Sequence, residues 1–210
     1  MLTLFHSPGS CSNGILILLN EIGADFTVET VNVRKKQQHE PAFLARNPKG
    51  KVPALMLDDG SVISEFQAIA YWLGNAYPES GVWPKDPRRQ TEVLSALEFL
   101  VASVHMRGLT FMKMPNKFHG DKKMQRDLVD YGRSEVEKGL AILSEILGDK
   151  EFLFGEFTIA DAALFYVLTW SQQEGITLPD NLARCLERLS TRASVMKAEG
   201  NLEPVGRKLA

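Results

Sequence analysis

Cysteine is scarce in this chain of 210 residues: it has only Cys11 and Cys185, far apart in sequence. That leaves no disulfide framework and too few thiols for a zinc site of ordinary spacing. Position 14 is Gly, so Cys11 has no partner three residues on, and the dithiol redox motif is missing. The four histidines, His6, His39, His105 and His119, are scattered, and no metal site is expected. There is no Gly-x-x-x-x-Gly-Lys-Ser/Thr loop and no Gly-x-Gly-x-x-Gly, so nucleotide phosphate binding has no support. The Gly-x-Ser-x-Gly nucleophile elbow is absent as well. A formal net charge of -2 and a pI near 6.1 argue against a nucleic-acid or anionic-membrane partner. The longest apolar stretch, Ile159 to Trp170, is interrupted by Asp161 and is too short to span a bilayer. The opening Met1-Leu2-Thr3-Leu4-Phe5 lacks the basic flank and apolar length of a signal peptide. A soluble, cytoplasmic protein is expected.

What is present is enough apolar sequence, 44% of the residues, for one large core or two modest ones. Leu2 to Phe5 reads as a strand, Ile15 to Ile22 as a helix ending at Gly23, and Phe26 to Val33 as an alternating second strand. A short helix at Pro41–Leu44, strands at Val52–Leu57 and Ser61–Ile63 around an Asp58-Asp59-Gly60 turn, and a helix from Ser64 complete the first part. Ser64 and Gln67 have the spacing of a capping box. The order β-α-β-α-β-β-α predicts a small mixed sheet covered by helices over residues 1–77. Residues 78–87 are rich in proline and read as a linker, with Asp86-Pro87 suited to start a new helix. From 88 to 210 the spacing is helical: Val93 to Val104, then Leu128 to Leu147, with a break at Pro115–Asp121. Thr158 to Asp161 is another capping box, followed by a helix that is apolar nearly all round and therefore buried.

One stretch carries chemistry. His6-Ser7-Pro8-Gly9-Ser10-Cys11-Ser12-Asn13 lies between the first strand and the first helix, with Pro8 and Gly9 making the turn. Unsatisfied N–H groups and the positive end of the macrodipole meet at a helix start and stabilise an anion or thiolate. A cysteine there can have its pKa lowered and act as a nucleophile. Equally, Ser10 or Ser12 can cap the helix while Cys11 merely fills space. These residues alone leave both readings open.

Four segments taken together settle a resemblance. Ser-Pro-Gly-Ser-Cys-Ser before the first helix, Asn-Pro-Lys-Gly-Lys-Val-Pro-Ala-Leu at 47–55, Ile-Ser-Glu-Phe-Gln-Ala-Ile at 63–69 and Phe-Thr-Ile-Ala-Asp-Ala at 157–162 resemble cytosolic glutathione transferases. The pattern is most similar to the bacterial beta class, which has a cysteine at the start of its first helix. It covers essentially the whole chain, in order. The resemblance implies an α+β, thioredoxin-like N-terminal domain that holds glutathione and an all-α C-terminal domain that supplies much of the pocket for a small hydrophobic electrophile. It also implies a homodimer.

By position, the likeness places a cis-proline at Pro53, with the Val52 backbone pairing to the cysteinyl unit of glutathione. A proline inside an apolar strand is odd enough to ask for such a reason. Glu65 matches the acid that meets the γ-glutamyl amino group, and Lys36 (or Lys35) and Lys51 match cations near glutathione. The residue after the acid is usually small; here it is Phe66, which removes a hydroxyl contact and would narrow the site. Beta-class proteins carry a histidine facing the cysteine from the first long helix of the second domain. His105 is the candidate here after a shift of roughly one turn, and otherwise it is a partly exposed helix residue. Thr158 and Asp161 read as structural, and Cys185 as buried filler. Two chemistries follow for Cys11 and its neighbours. Ser10, Ser12 or N–H groups can hold a glutathione thiolate that attacks an electrophile, or Cys11 can exchange disulfides with glutathione. The alternatives are a non-catalytic binding module and a specialised glutathione-dependent dehalogenase or isomerase.

Overall fold

The computed structural model of the chain describes residues 1–200. They form two compact units. The first comprises Met1–Trp83 together with the segment that begins at Thr191. Its centre is a four-stranded sheet of β1 (Leu2–His6), β2 (Phe26–Thr30), β3 (Ala54–Met56) and β4 (Val62–Ser64), in the order β2-β1-β3-β4. β1 and β2 run parallel, with Leu2 opposite Phe26 and His6 opposite Thr30, while β3 is antiparallel to both of its neighbours. Helices α1 (Ser12–Glu21), α2 (Pro41–Leu44) and α3 (Phe66–Ala76) complete the predicted β-α-β-α-β-β-α order.

Several edges differ from the sequence reading. β2 stops at Thr30 because Asn32 turns the chain: its Oδ1 accepts the Lys35 amide at 3.0 Å and opens a 3-10 turn over Val33–Lys35. β3 begins only after Pro53, which has no amide proton for the ladder. The expected capping box at Ser64 and Gln67 is not used to start α3. Ser64 ends β4, and Glu65 is the N-cap, at φ 75°, with no side-chain cap hydrogen bond.

The α1 helix is buried from Ser12 through Leu19 on every side, as its apolar sequence requires. Helix α9 (Ala193–Gly200) supplies part of the cover. Arg192 Nε donates to Glu21 Oε2 at 2.8 Å, its Nη2 reaches Glu21 Oε1, and Ser194 Oγ donates to Oε2 at 2.6 Å. The chain therefore returns to its first unit after Ser190, whereas the sequence-based division ran the helical part from 88 to the end. The opposite side of the sheet packs Phe5, Val31, Phe43 and Ala54, with Phe5 and Phe43 edge to face at 5.6 Å.

The second unit, Pro84–Ser190, is helical. Asp86 Oδ1 caps the Arg89 amide at 2.8 Å, and Pro87 occupies the first turn, as expected. From there α4 (Pro87–Glu98) runs without a break into a π-helical segment, Phe99–Leu109, and ends in α5 (Thr110–Lys113). By length and composition alone this helix is apolar enough to cross a membrane, and half of its most apolar window is buried, as in a core helix. Glu98 and Arg107 interrupt the run, so counting consecutive apolar residues passes over it. Beside it lies α6 (Lys122–Leu147), started by Asp121. Helix α7 (Ile159–Gln173) is buried nearly throughout and carries the expected capping box at Thr158 and Asp161, and α8 (Asp180–Ser190) follows. Asp161 also accepts the Leu153 amide at 3.0 Å, and burial pushes its carboxyl up to about 6. Both residues thus have the structural role expected of them. Cys185 is fully buried and its thiol lies 3.6 Å from the Glu151 carbonyl.

Three glycines set how closely the long helix and α6 approach. A Cβ on Gly132 would stand 2.7 Å from the Gly108 carbonyl oxygen, one on Gly139 would stand 2.6 Å from Val104 Cγ2, and one on Gly108 would stand 2.5 Å from Val136 Cγ2. At Gly132 the obstacle is backbone, which yields least. Gly132→Ala is expected to lower stability by about 1–3 kcal/mol in chemical denaturation, while Gly120→Ala, with open space around it, leaves the midpoint nearly unchanged. Equal midpoints for the two would refute the close crossing.

Candidate active site

The predicted turn between β1 and α1 is present, with Gly9 at φ 75°. Cys11 is the N-cap of α1 but has helical backbone angles and makes no side-chain cap hydrogen bond. Ser10 takes that duty: its Oγ accepts the Ser12 amide at 3.2 Å. Ser12, fully buried, sits at the centre of a polar cluster. Its Oγ lies 2.7 Å from Ser10 Oγ and 2.7 Å from His6 Nδ1, and accepts the Ser7 amide at 3.1 Å. His6 itself is buried, and burial pushes its imidazole down to about 4, so it is neutral at pH 7.

Cys11 and Val52-Pro53 meet, although 41 residues separate Cys11 from Val52. The Cys11 thiol points at the Val52 carbonyl, 3.9 Å away, and the Val52-Pro53 bond is cis. Val52 lies just outside the sheet ladder, which starts at Ala54, so its backbone groups are not consumed by a strand partner. Of the two readings the sequence left open for Cys11, the low-pKa thiolate is not the one the resting geometry gives. Burial pushes the Cys11 thiol up to about 12, and the Glu65 carboxylate pushes the same way. Lys51 and the amides at the helix start act in the opposite direction without outweighing them. In the resting protein Cys11 is a neutral thiol.

Glu65 projects from the start of α3 and pairs with Lys49, Oε1 to Nζ 2.9 Å, both side chains about half exposed. The non-glycine positive φ of Glu65 is rare in folded chains and gathers at ligand sites. Phe66 follows as the first residue of α3, and its side chain is buried. The ring therefore packs inward, and the expectation that it narrows the site is not met. Lys36 is exposed on a left-handed turn, and among the described residues neither it nor Lys35 has a side chain paired with Cys11, Val52 or Glu65.

His105 belongs to the second unit and is not partly exposed there. It is buried on the π-helical segment, with Nδ1 3.3 Å from the Tyr166 hydroxyl and its ring edge to face with Tyr166 and Trp170. Burial lowers its pKa to about 4. A cleft of about 730 Å3 in the same unit is lined by Thr91, Ser95, Phe99, Ile142, Ile146 and Phe154, none of them singled out by the sequence. Sequence reasoning passed over His6 and Lys49. His6 ends the strand directly before the turn and is six residues from Ser12, and Lys49 lies two residues before Lys51 in the 47–55 segment. Those placements were the available signals.

Residues 9–76 match the family described as glutathione S-transferase, N-terminal domain, and residues 126–184 match glutathione S-transferase, C-terminal domain. Glutathione S-transferase GstA of Escherichia coli O157:H7 is 33% identical over 200 residues, covering 93% of this chain and 96% of that protein. The chain belongs to the glutathione S-transferase family. A bacterial beta-class glutathione S-transferase of Sphingomonas chungbukensis has the same fold, with a TM-score of 0.80, 31% identity and coverage of 93% and 96% of the two chains. A sphingomonad glutathione S-transferase crystallised with glutathione superposes with a TM-score of 0.78 at 30% identity, again over 93% and 96%. In this transferase fold the segments that carried the resemblance lie in both units, and those at Cys11, Val52 and Glu65 share the first.

A thiol held near 12 is protonated at neutral pH, and its thiolate fraction grows as the pH rises toward that value. Iodoacetamide alkylation of Cys11, followed by peptide mass, is expected to be slow at pH 7. It should climb about tenfold per pH unit up to at least pH 10. A rate already level below pH 8 would show a low-pKa thiolate instead.

Proposed function

We propose that this protein binds glutathione in its first unit and transfers the glutathione thiol to small hydrophobic electrophiles, with Cys11 remaining a neutral thiol. The observation that carries this reading is the meeting of the α1 start with Val52, just before β3 and outside its ladder. There a cysteinyl unit can pair with the Val52 backbone and bring its sulfur to the Ser10 hydroxyl. The Glu65 carboxylate takes the γ-glutamyl ammonium, which displaces Lys49 from it, and the α3 N-terminus takes the adjoining carboxylate. Lys51 and Lys36 supply positive charge around the tripeptide. The glutathione S–H gives its proton to solvent, and the thiolate is held by the Ser10 hydroxyl and the amides of the first turn. Its lone pair then forms a carbon–sulfur bond, and the leaving group departs with its bonding pair. The reading asks nothing of His105. It retains the homodimer that the resemblance implies.

Calorimetric titration with glutathione and initial rates with an activated aryl halide test it. Glu65→Ala is expected to weaken binding by about tenfold or more, the loss of a charge-assisted contact. Cys11→Ala should conjugate at a similar rate to the unmodified protein, and Ser10→Ala about tenfold or more slower. No binding at millimolar glutathione would favour a non-catalytic module. A glutathione mixed disulfide on Cys11, with all activity lost in Cys11→Ala, would assign the chemistry to thiol exchange.

A further inference from the structure

His6, Ser12 and Ser10 form a continuous chain from the interior to the start of α1: His6 Nδ1 to Ser12 Oγ 2.7 Å, and Ser12 Oγ to Ser10 Oγ 2.7 Å. His6 is 3% exposed and Ser12 0%, whereas Ser10 is partly exposed. The far nitrogen of the ring, His6 Nε2, is buried and has no hydrogen-bond partner among the described residues. That orphan atom decides which way the chain points.

A neutral imidazole carries its proton on one nitrogen only. With the proton on Nε2, a buried N–H would have no acceptor, the costlier kind of orphan. Nδ1 would then accept the Ser12 hydroxyl proton, and Ser10 would turn its own proton inward to Ser12. With the proton on Nδ1, only a lone pair is orphaned. Ser12 Oγ then accepts from His6 and from the Ser7 amide at 3.1 Å, which fills both of its lone pairs. Its proton goes to Ser10 Oγ at 2.7 Å in preference to the Ser7 carbonyl at 3.3 Å. Ser10 Oγ accepts that proton and the Ser12 amide at 3.2 Å, which fills its lone pairs in turn. The Ser10 proton is left with no inward acceptor.

We propose that His6 is a positioning residue: as an Nδ1–H donor it fixes a one-way chain, His6 to Ser12 to Ser10, that aims the Ser10 hydroxyl proton outward at the sulfur of bound glutathione. The proposal rests on the glutathione reading above. No proton is transferred along the chain. The neutrality of the buried ring at pH 7 keeps the cluster free of charge, so its only output is the orientation of one hydroxyl.

The test has two arms. In 15N-labelled protein without ligand, imidazole NMR at pH 7 is expected to show His6, assigned by loss of its signals in His6→Phe, protonated on Nδ1 and bare on Nε2. The reverse pattern overturns the proposal whatever the protein binds. In the second arm, the thiol pKa of bound glutathione is read from thiolate absorbance, and S-methylglutathione affinity is measured beside it. His6→Phe and Ser12→Ala are each expected to raise that pKa by about one unit, a tenfold loss of thiolate at fixed pH, with S-methylglutathione affinity unchanged. His6→Asn, whose amide can donate to Ser12 as Nδ1–H does, should restore it, and in a Ser10→Ala background His6→Phe should add nothing. An unshifted pKa in folded His6→Phe and Ser12→Ala, or a shift that His6→Asn does not reverse, overturns the proposal alone. Failure of the unmodified protein to bind S-methylglutathione overturns the glutathione reading, and this proposal with it.

Discussion

Helix α1 has no exposed residue from Ser12 to Leu19, and the first unit is arranged around covering it. An apolar helix of this kind has no solvent-facing side to offer. The sheet and α3 cover part of it, and the rest is supplied by a segment from the other end of the chain, tied by Arg192 to Glu21. Burial extends to the first turn, where the residues are polar. Ser12 therefore cannot leave its hydroxyl unsatisfied, and the nearest groups able to satisfy it are His6 and Ser10, at the end of β1 and in the turn. Packing of the helix and organisation of the site are in this sense one constraint.

The same burial explains why Cys11 is not activated at rest. A helix start favours a thiolate through oriented amides, but those amides compete with desolvation at this depth and with the Glu65 carboxylate. Desolvation is the larger effect. Ser10, part-buried like Cys11, is already engaged in hydrogen bonds and carries no charge to desolvate.

Much of the fold was legible in the chain itself. The turn at Pro8-Gly9 and the Thr158 and Asp161 capping box stand as expected because short-range chemistry specifies them, and the cis bond at Val52-Pro53 stands as the family resemblance implied. What escaped the sequence depends on distant contacts. Nothing near Ser64 reveals that Glu65 would take a positive φ and leave the capping box unused. Nothing near Thr191 reveals that the following helix returns to α1. His105 read as partly exposed because its own helix is mixed, and it is Tyr166 and Trp170, more than sixty residues on, that bury it. His6 was overlooked because its partner Ser12 belongs to another element, and only the turn brings them within 2.7 Å.

The π-helical stretch from Phe99 to Leu109 gives the long helix a fixed rotational phase. Each i→i+5 turn takes up more sequence than an α-turn does, and Val104 and Gly108, both within this stretch, meet α6. Removing one residue there would rotate everything beyond it by roughly a quarter of a turn and turn the small face of the helix away from Gly132. Length within this stretch is thus held more tightly than composition. Side chains on its outer side are free to vary, while a single insertion or deletion would unlock the crossing.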